Sequence, residues 1–279
     1  MRTNRKVLQY QENIPSPQLQ PFIKCYWLLS DDSGMQHDFE KIIPDGSPEL
    51  IIHLGTPFEE RVDGRIRKQE MAFVYGQLFA SIEIRPSSKP RVVGIKFHPF
   101  GLSAFTTIPQ LELSGKRSLV KDIFPAFPIE EYLERLNSAA IPEGLFLQID
   151  QMMLIMLRKQ KNFSEDKACK MSAAVSSIQQ SNGSLKIDAL TRSLNMSGRE
   201  LERKFNRYIG LSPKRLAKIF RLQFALQSES KAELLTHLAL DAGYYDQAHF
   251  IREFTSIVNE RPSDYFAVET KLTEKFLLK

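Results

Sequence analysis

The chain has 279 residues, enough for two domains, and carries 38 Lys and Arg against 33 Asp and Glu, a formal charge of +5 that suits a polyanionic partner. Its two cysteines, Cys25 and Cys169, lie far apart without metal-ligand spacing, which points to a reducing setting rather than a disulfide framework. No apolar signal segment opens the chain and no apolar run reaches membrane-spanning length, so the expectation is a cytoplasmic protein with no membrane partner.

From about Pro21 to Phe100 the pattern is one of short strands. Phe22–Leu29 is apolar and aromatic and ends at the turn-forming cluster Ser30–Gly34. Lys41–Ile43, then Pro44–Pro48, then Glu49–Gly55 reads as strand, tight turn, strand. Val62-Asp63-Gly64-Arg65 reads as a hairpin tip, and Phe73–Ile84 and Val92–Phe97 add further strands. Short strands with Gly/Pro turns predict a β-sandwich or barrel. Tyr26, Trp27 and Tyr75 fit either the wall of a small-molecule pocket or plain core, and no ligand-binding residue is assigned. His37, His53 and His98 lack converging spacing, so no metal site is assigned.

Helical spacing takes over beyond Phe100, with segments at Gly101–Phe105, Ile129–Leu136 and Glu143–Lys159. The last aligns Leu145, Ile149, Met152 and Met156 on one side. Asn162–Asp166 is the linker candidate, and a helix from Lys167 to about Gln180 follows. The expected division is therefore 1–165 and 166–279.

Between Ser184 and Phe266 one helical unit occurs twice. Leu190, Asn195 and Met196 correspond to Leu238, Gly243 and Tyr244; Leu201, Arg203, Phe205 and Pro213 correspond to Phe250, Arg252, Phe254 and Pro262. In the first copy Ile187, Leu190 and Leu194 form an apolar stripe, Asn195 makes the turn, and Ser197 with Glu200 suggests a capping box. The second helix buries Leu201, Phe205 and Ile209 and turns Arg199, Glu202 and Arg203 outward; Gly210 closes it and Pro213 opens the next helix. In the second copy Leu235, Leu238 and Ala242 form the stripe, Gly243 turns, and Asp246 caps a helix that buries Phe250 and Phe254 and exposes Gln247, His249 and Arg252. Two helices about a tight turn, with Arg and amide side chains on the open face of the second, describe a DNA-reading helix-turn-helix. A plain helical bundle with a solvated charged face is the competing description.

GLSPKRL after the first unit, and AGYYDQAHFIREF with RPSDYF in the second, resemble the DNA-binding domain of the AraC/XylS family of transcription regulators. That resemblance implies recognition helices entering successive major grooves of double-stranded DNA, held apart by a helix from Pro213 to about Glu229. It implies DNA contacts by Arg199, Glu202, Arg203, Gln247, His249 and Arg252, with Lys204, Arg207 and Lys214 among the DNA-binding candidates. Thr255, and Val258-Asn259-Glu260 where a Gly is usual, depart from the family pattern. IIPDGSPELIIHLG and GIKFHPFGLSAF resemble the cupin-like N-terminal domain often attached to such regulators, an effector-binding or interaction module. By the same resemblance the 145–156 stripe becomes a candidate homodimer contact, with packing on its own barrel as the alternative. A small-molecule effector, a homodimer and RNA polymerase are the further partners implied.

No phosphate-binding Gly-rich loop, HExxH, nucleophile elbow or paired CxxC is present, so no catalytic residue, cofactor or enzyme activity is assigned. The expected fold class is α+β: a mainly-β, cupin-like N-terminal domain followed by helices, then an all-α domain of two helix-turn-helix units. The expected function is sequence-specific DNA binding in transcription regulation. A ligand-binding or catalytic cupin-like protein with an incidental helical domain is the alternative. Between Lys186 and Arg221 ten basic residues face three acidic ones, and between Leu222 and Phe266 three basic face seven acidic, which predicts that the first unit dominates affinity.

Overall fold

The computed structural model describes residues 8–125, 127–138, 142–160, 165–227 and 244–267, without the side chains of 165–168. Among these residues ten strands form two antiparallel sheets. The larger has the order β1 (Gln9–Asn13), β2 (Ile23–Ser30), β9 (Arg91–Phe97), β4 (Glu49–His53), β7 (Ala72–Tyr75), β10 (Arg117–Leu119). The smaller runs β3 (Glu40–Ile42), β8 (Ile82–Arg85), β5 (Glu59–Val62), β6 (Arg65–Lys68). Asp63 and Gly64, both at positive φ, make the two-residue turn between β5 and β6 at the expected hairpin tip.

Strand β2 shows why this segment reads as a continuous apolar run. Side chains alternate across a strand, and here both faces are covered. Cys25, Trp27 and Leu29 pack with Ile51, Phe58, Phe73 and Val92 on one face, while Tyr26 and Leu28 join the core formed with the helices on the other. Trp27 stands opposite Gly94 in register, where a Cβ would lie 2.0 Å from the indole, so only glycine admits the ring.

One strand–turn–strand expectation changes. Strands β3 and β4 lie in different sheets, so Pro44–Pro48 carries the chain between sheets instead of closing a hairpin. Two prolines without N–H groups cannot extend a ladder, and Gly46 at φ +81 with Asp45 Oδ1 accepting from Ser47 N makes the bend.

A 3-10 turn at Gly101–Ala104 precedes short helices α1 (Gln110–Leu113) and α2 (Val120–Ile123), then α3 (Ile129–Ser138) and α4 (Pro142–Lys159). The stripe on α4 is core: Leu145, Ile149 and Met152 are fully buried and Met156 nearly so, in one cluster with Leu136 and sheet residues such as Tyr26 and Phe97. That overturns its reading as a dimer contact, because a face sealed by its own chain has no surface left for a second copy. Asp150 ties the same helix to β2, accepting from Tyr26 Oη at 3.0 Å and from Ser16 N at 2.8 Å.

The remaining described helices are α5 (Glu165–Gln180), α6 (Ile187–Ser193), α7 (Gly198–Tyr208), α8 (Pro213–Gln227), α9 (Gln247–Val258) and α10 (Pro262–Ala267). Helix α5 packs on α7 and α8. The expected turn-forming helix of the second unit, with Leu235, Leu238, Ala242 and Gly243, lies outside the described residues. So do residues 162–164 of the linker candidate, whose last two residues, Glu165 and Asp166, instead begin α5, and the end of the connecting helix at Glu229.

The β-sheets and the helical units touch through named bonds. Ser81 N donates to Ile257 O and Ser81 Oγ to Val258 O, both at 2.7 Å, closing the C-terminal end of α9. Lys41 Nζ meets Glu260 Oε2 at 2.5 Å. Gln223 Nε2 donates to Pro44 O, and Ile43 sits in the core of the second unit with Leu222, Phe250 and Phe254. On the first unit, α1 packs on α7 and Ser114 Oγ donates to Gly210 O at 2.9 Å.

Candidate nucleic-acid interface

Helix α7 forms because its two ends are capped and one face is apolar. Ser197 Oγ accepts from Glu200 N at 3.2 Å, and Gly210, at φ +86, donates its N–H to Phe205 O. The Glu200 carboxylate turns to Lys204 at 2.9 Å. Leu201 and Phe205 are fully buried against the α6 residue Leu190 and the α8 residues Leu216 and Ile219. Asn195 takes φ +50 at the turn between α6 and α7, the left-handed geometry that its position in the repeat requires. The opposite face of α7 is open: Arg199, Glu202, Arg203 and Arg207 are exposed, as is Lys214 at the start of α8. Lys204 is half-buried between Glu200 and the Met196 sulfur.

Helix α9 repeats this plan. Asp246 Oδ1 accepts from His249 N at 2.6 Å as N-cap, and Phe250, Phe254, Ile257 and Val258 face the core. Asn259 stands at φ +59, so the departure from the usual Gly leaves the left-handed helix end intact. Gln247 and Arg252 are exposed. His249 is turned partly inward: its Nδ1 accepts from Tyr245 N at 3.4 Å, its Nε2 is 3.7 Å from the Glu253 carboxylate, and its ring meets Tyr244 edge-on.

Glu253, next to the exposed Arg252 in sequence, is itself only 3% exposed, held between α9 and α8. Lys218 Nζ lies 3.0 Å from one carboxylate oxygen and Arg221 Nη1 3.8 Å from the other. Arg221 also lies over the Tyr244 ring and donates to Gly183 O. Burial first, and then the Glu253 charge, push the Tyr244 hydroxyl pKa above its ordinary value. A clamp of opposite charges therefore sets α9 against the helix that separates the two units.

The same contacts revise the charge comparison between units. Arg215 is committed to Phe79, through its carbonyl at 2.8 Å and its ring at 5.0 Å. With Lys218 and Arg221 on Glu253, three of the first unit's ten cations hold the protein together, while Glu253 and Glu260 in the second are met by cations. Net charge by segment thus overstates the asymmetry that DNA would meet. Sequence reading also passed over Tyr245, 88% exposed just before the Asp246 cap, where an aromatic N-terminal to a capping Asp was the available signal.

The histidines considered for a metal lie apart: His53 is bonded to Gln69 at 3.1 Å, His37 lies 3.3 Å from Asp31, and His98 meets Gln20 O at 3.1 Å. Burial lowers the His53 pKa to about 4. Among the described residues no helix is long and apolar enough to cross a membrane.

Residues 190–267 match a family model described as a helix-turn-helix domain, and residues 11–118 match one described as a domain of unknown function. An "Uncharacterized HTH-type transcriptional regulator" of Haemophilus influenzae is 33% identical over 96 residues, 34% of this chain and 32% of the relative. The chain thus spans about a third of the length of that curated relative. Among solved structures, ToxT from Vibrio cholerae shares 12% identity at a TM-score of 0.46, covering 92% of this chain and 98% of its own. A cupin domain of an XRE family transcriptional regulator from Enterobacter cloacae shares 15% identity at a TM-score of 0.25, covering 33% of this chain and 97% of its own. With two capped helices carrying the repeated motifs and the domain match spanning both, residues 190–267 form a helix-turn-helix domain.

Proposed function

We propose that the chain is a sequence-specific, double-stranded DNA-binding transcription regulator that reads successive major grooves with α7 and α9. The observation that carries this reading is the pair of capped helices, each burying an apolar face with its phenylalanines and leaving polar side chains open, Arg199, Glu202 and Arg203 on α7 and Gln247 and Arg252 on α9. Arg203 and Arg252 suit bidentate contact with guanine, Gln247 suits adenine, and Glu202 can accept from the cytosine amino group. Arg199, Lys204, Arg207 and Lys214 supply phosphate contacts, and His249 borders the second groove. The β-domain serves as an effector-binding module, and a homodimer and contact with RNA polymerase complete the assignment. The 1–165 and 166–279 division describes the two roles.

The test is enrichment of duplexes from a random library by the full chain, followed by titration of the winning site at several salt concentrations. An enriched motif and steeply falling affinity with salt are expected, because phosphate contacts release counterions. Equal retention of random duplex, or binding indifferent to salt, refutes the reading.

A further inference from the structure

Between the two sheets lies a cavity of about 90 Å³. Its walls are apolar, built from Trp27 and Ile51 of the larger sheet and Ile82 and Ile84 of the smaller. Polar groups gather at one end, where Asp45, Glu49 and Lys96 line the space. Lys96 Nζ is committed to Asp45 at 2.5 Å and reaches Glu49 only at 3.6 Å, while Asp45 also accepts from Ser47 N. The Tyr75 hydroxyl donates to Glu60, and Gln69 is shared between His53 and Glu60. Glu49 therefore holds the least satisfied charged group on the wall, with one-fifth of its side chain open.

Charge decides what such a space accepts. Two carboxylates share one ammonium, so the polar end carries an excess of acceptors and of negative charge. A carboxylate or phosphate on an entering ligand would meet Glu49 and Asp45 with no uncommitted cation to receive it, and like charges in a desolvated site repel strongly. A donor meets the opposite situation, because an ammonium or hydroxyl completes the coordination of Glu49. Burial pushes the Glu49 pKa up to about 7, against the opposing pull of Lys96, as expected for a carboxylate short of partners.

We propose that this cavity binds a small apolar molecule bearing a hydrogen-bond donor, above all a protonated amine, seated on Glu49, and that it rejects anionic ligands of the same shape. This assignment rests on the effector-binding role proposed for the β-domain and names its ligand class.

Trp27 is the single tryptophan of the chain and lines the cavity, so its fluorescence reports occupancy directly. Hexylamine, hexan-1-ol and hexanoate, titrated at pH 8 into the full chain, share one skeleton and differ in charge. Expected is binding in the order amine, alcohol, carboxylate, the amine exceeding the alcohol by roughly tenfold, as a charge-assisted bond exceeds a neutral one. Glu49→Gln, with folding verified by circular dichroism, should bring amine and alcohol within about twofold, since the donor stays satisfied but the charge is gone. Hexanoate binding as tightly as hexylamine overturns the proposal, and so does absence of binding by both amine and alcohol. Duplex binding by the ligand-free wild type is scored separately, so failure of the cavity and failure of the DNA-binding reading are told apart.

Discussion

Replacing Glu253 by Gln removes the charge that α8 and α9 share while keeping the side chain's size. Losing one member of a fully buried ion pair costs about 3–5 kcal/mol, because the abandoned charge cannot reach water. Here the penalty is softened: the Lys218 side chain is 39% exposed and can turn outward, and Arg221 keeps the Gly183 carbonyl and the Tyr244 ring. A destabilisation of roughly 1–3 kcal/mol follows, below the fully buried case because the abandoned cations are partly resolvated or otherwise engaged. Since the clamp fixes α9 against α8, the variant should lose protection of the half-site read by α9 before that read by α7. Urea unfolding gives the stability term, and nuclease footprinting on the selected duplex gives the half-site pattern. Exchanging the charges, Lys218→Glu with Glu253→Lys, should recover part of both losses, measured as a coupling in a double-mutant cycle. Stability within about 0.5 kcal/mol of wild type, with both half-sites equally protected, refutes the clamp.

Arg203→Ala and Arg252→Ala should each cost about 1–3 kcal/mol on one operator at one salt concentration, with comparable losses, since Glu253, the one acidic residue of α9, is already met by Lys218 and Arg221 of α8 and leaves Arg252 unopposed on its own helix. A many-fold larger loss for Arg203→Ala would restore the ranking by segment charge. Ile149→Ala, fully buried on α4, should destabilise the fold by about 2–5 kcal/mol in urea titration without altering the sedimentation coefficient of the native state. Glu49 binds its proton more tightly folded than unfolded, so its contribution to stability is fully present below about pH 4.5 and is lost as pH rises through about 7. Lys96, Asp45 and Lys24 bear on that carboxyl, and it in turn bears on Tyr10 and Cys25; all remain in Glu49→Gln, as does the buried His53 with its opposite slope at acid pH. The thermal-melt difference between variant and wild type should therefore grow in the variant's favour from pH 5 to pH 8. A difference that is flat or reversed contradicts the raised pKa.

Strands announced by their own side chains were legible. Ile23–Ser30 and Arg91–Phe97 carry dense apolar residues, and the Asp63-Gly64 turn is encoded locally. Strand β1 was not legible: Gln9–Asn13 is polar and largely exposed and is a strand only because β2 supplies its hydrogen-bond partners. The α4 stripe shows a different limit, since helical spacing reveals which face is apolar but not what covers it. At the candidate interface the two N-caps, the Asn195 turn and the exposure of Arg199, Glu202, Arg203, Gln247 and Arg252 were readable because each is set within one turn of chain, whereas His249 is turned inward by its contacts with Tyr244 and Glu253. Glu253 was not, because a glutamate beside an arginine looks solvated until α8 brings Lys218 and Arg221 over it.

The Ser81 contact makes one amide a spectator of another domain. Its proton is shielded from exchange by the Ile257 carbonyl, so it exchanges when α9 leaves the β-domain, whether or not the strands around it open. Deuterium uptake at Ser81, followed with and without operator duplex, therefore times the separation of recognition helix from sheet at a single site. Faster uptake with DNA would mean that reading the groove requires release; slower uptake would mean that the sheet stays attached to the helix while it reads.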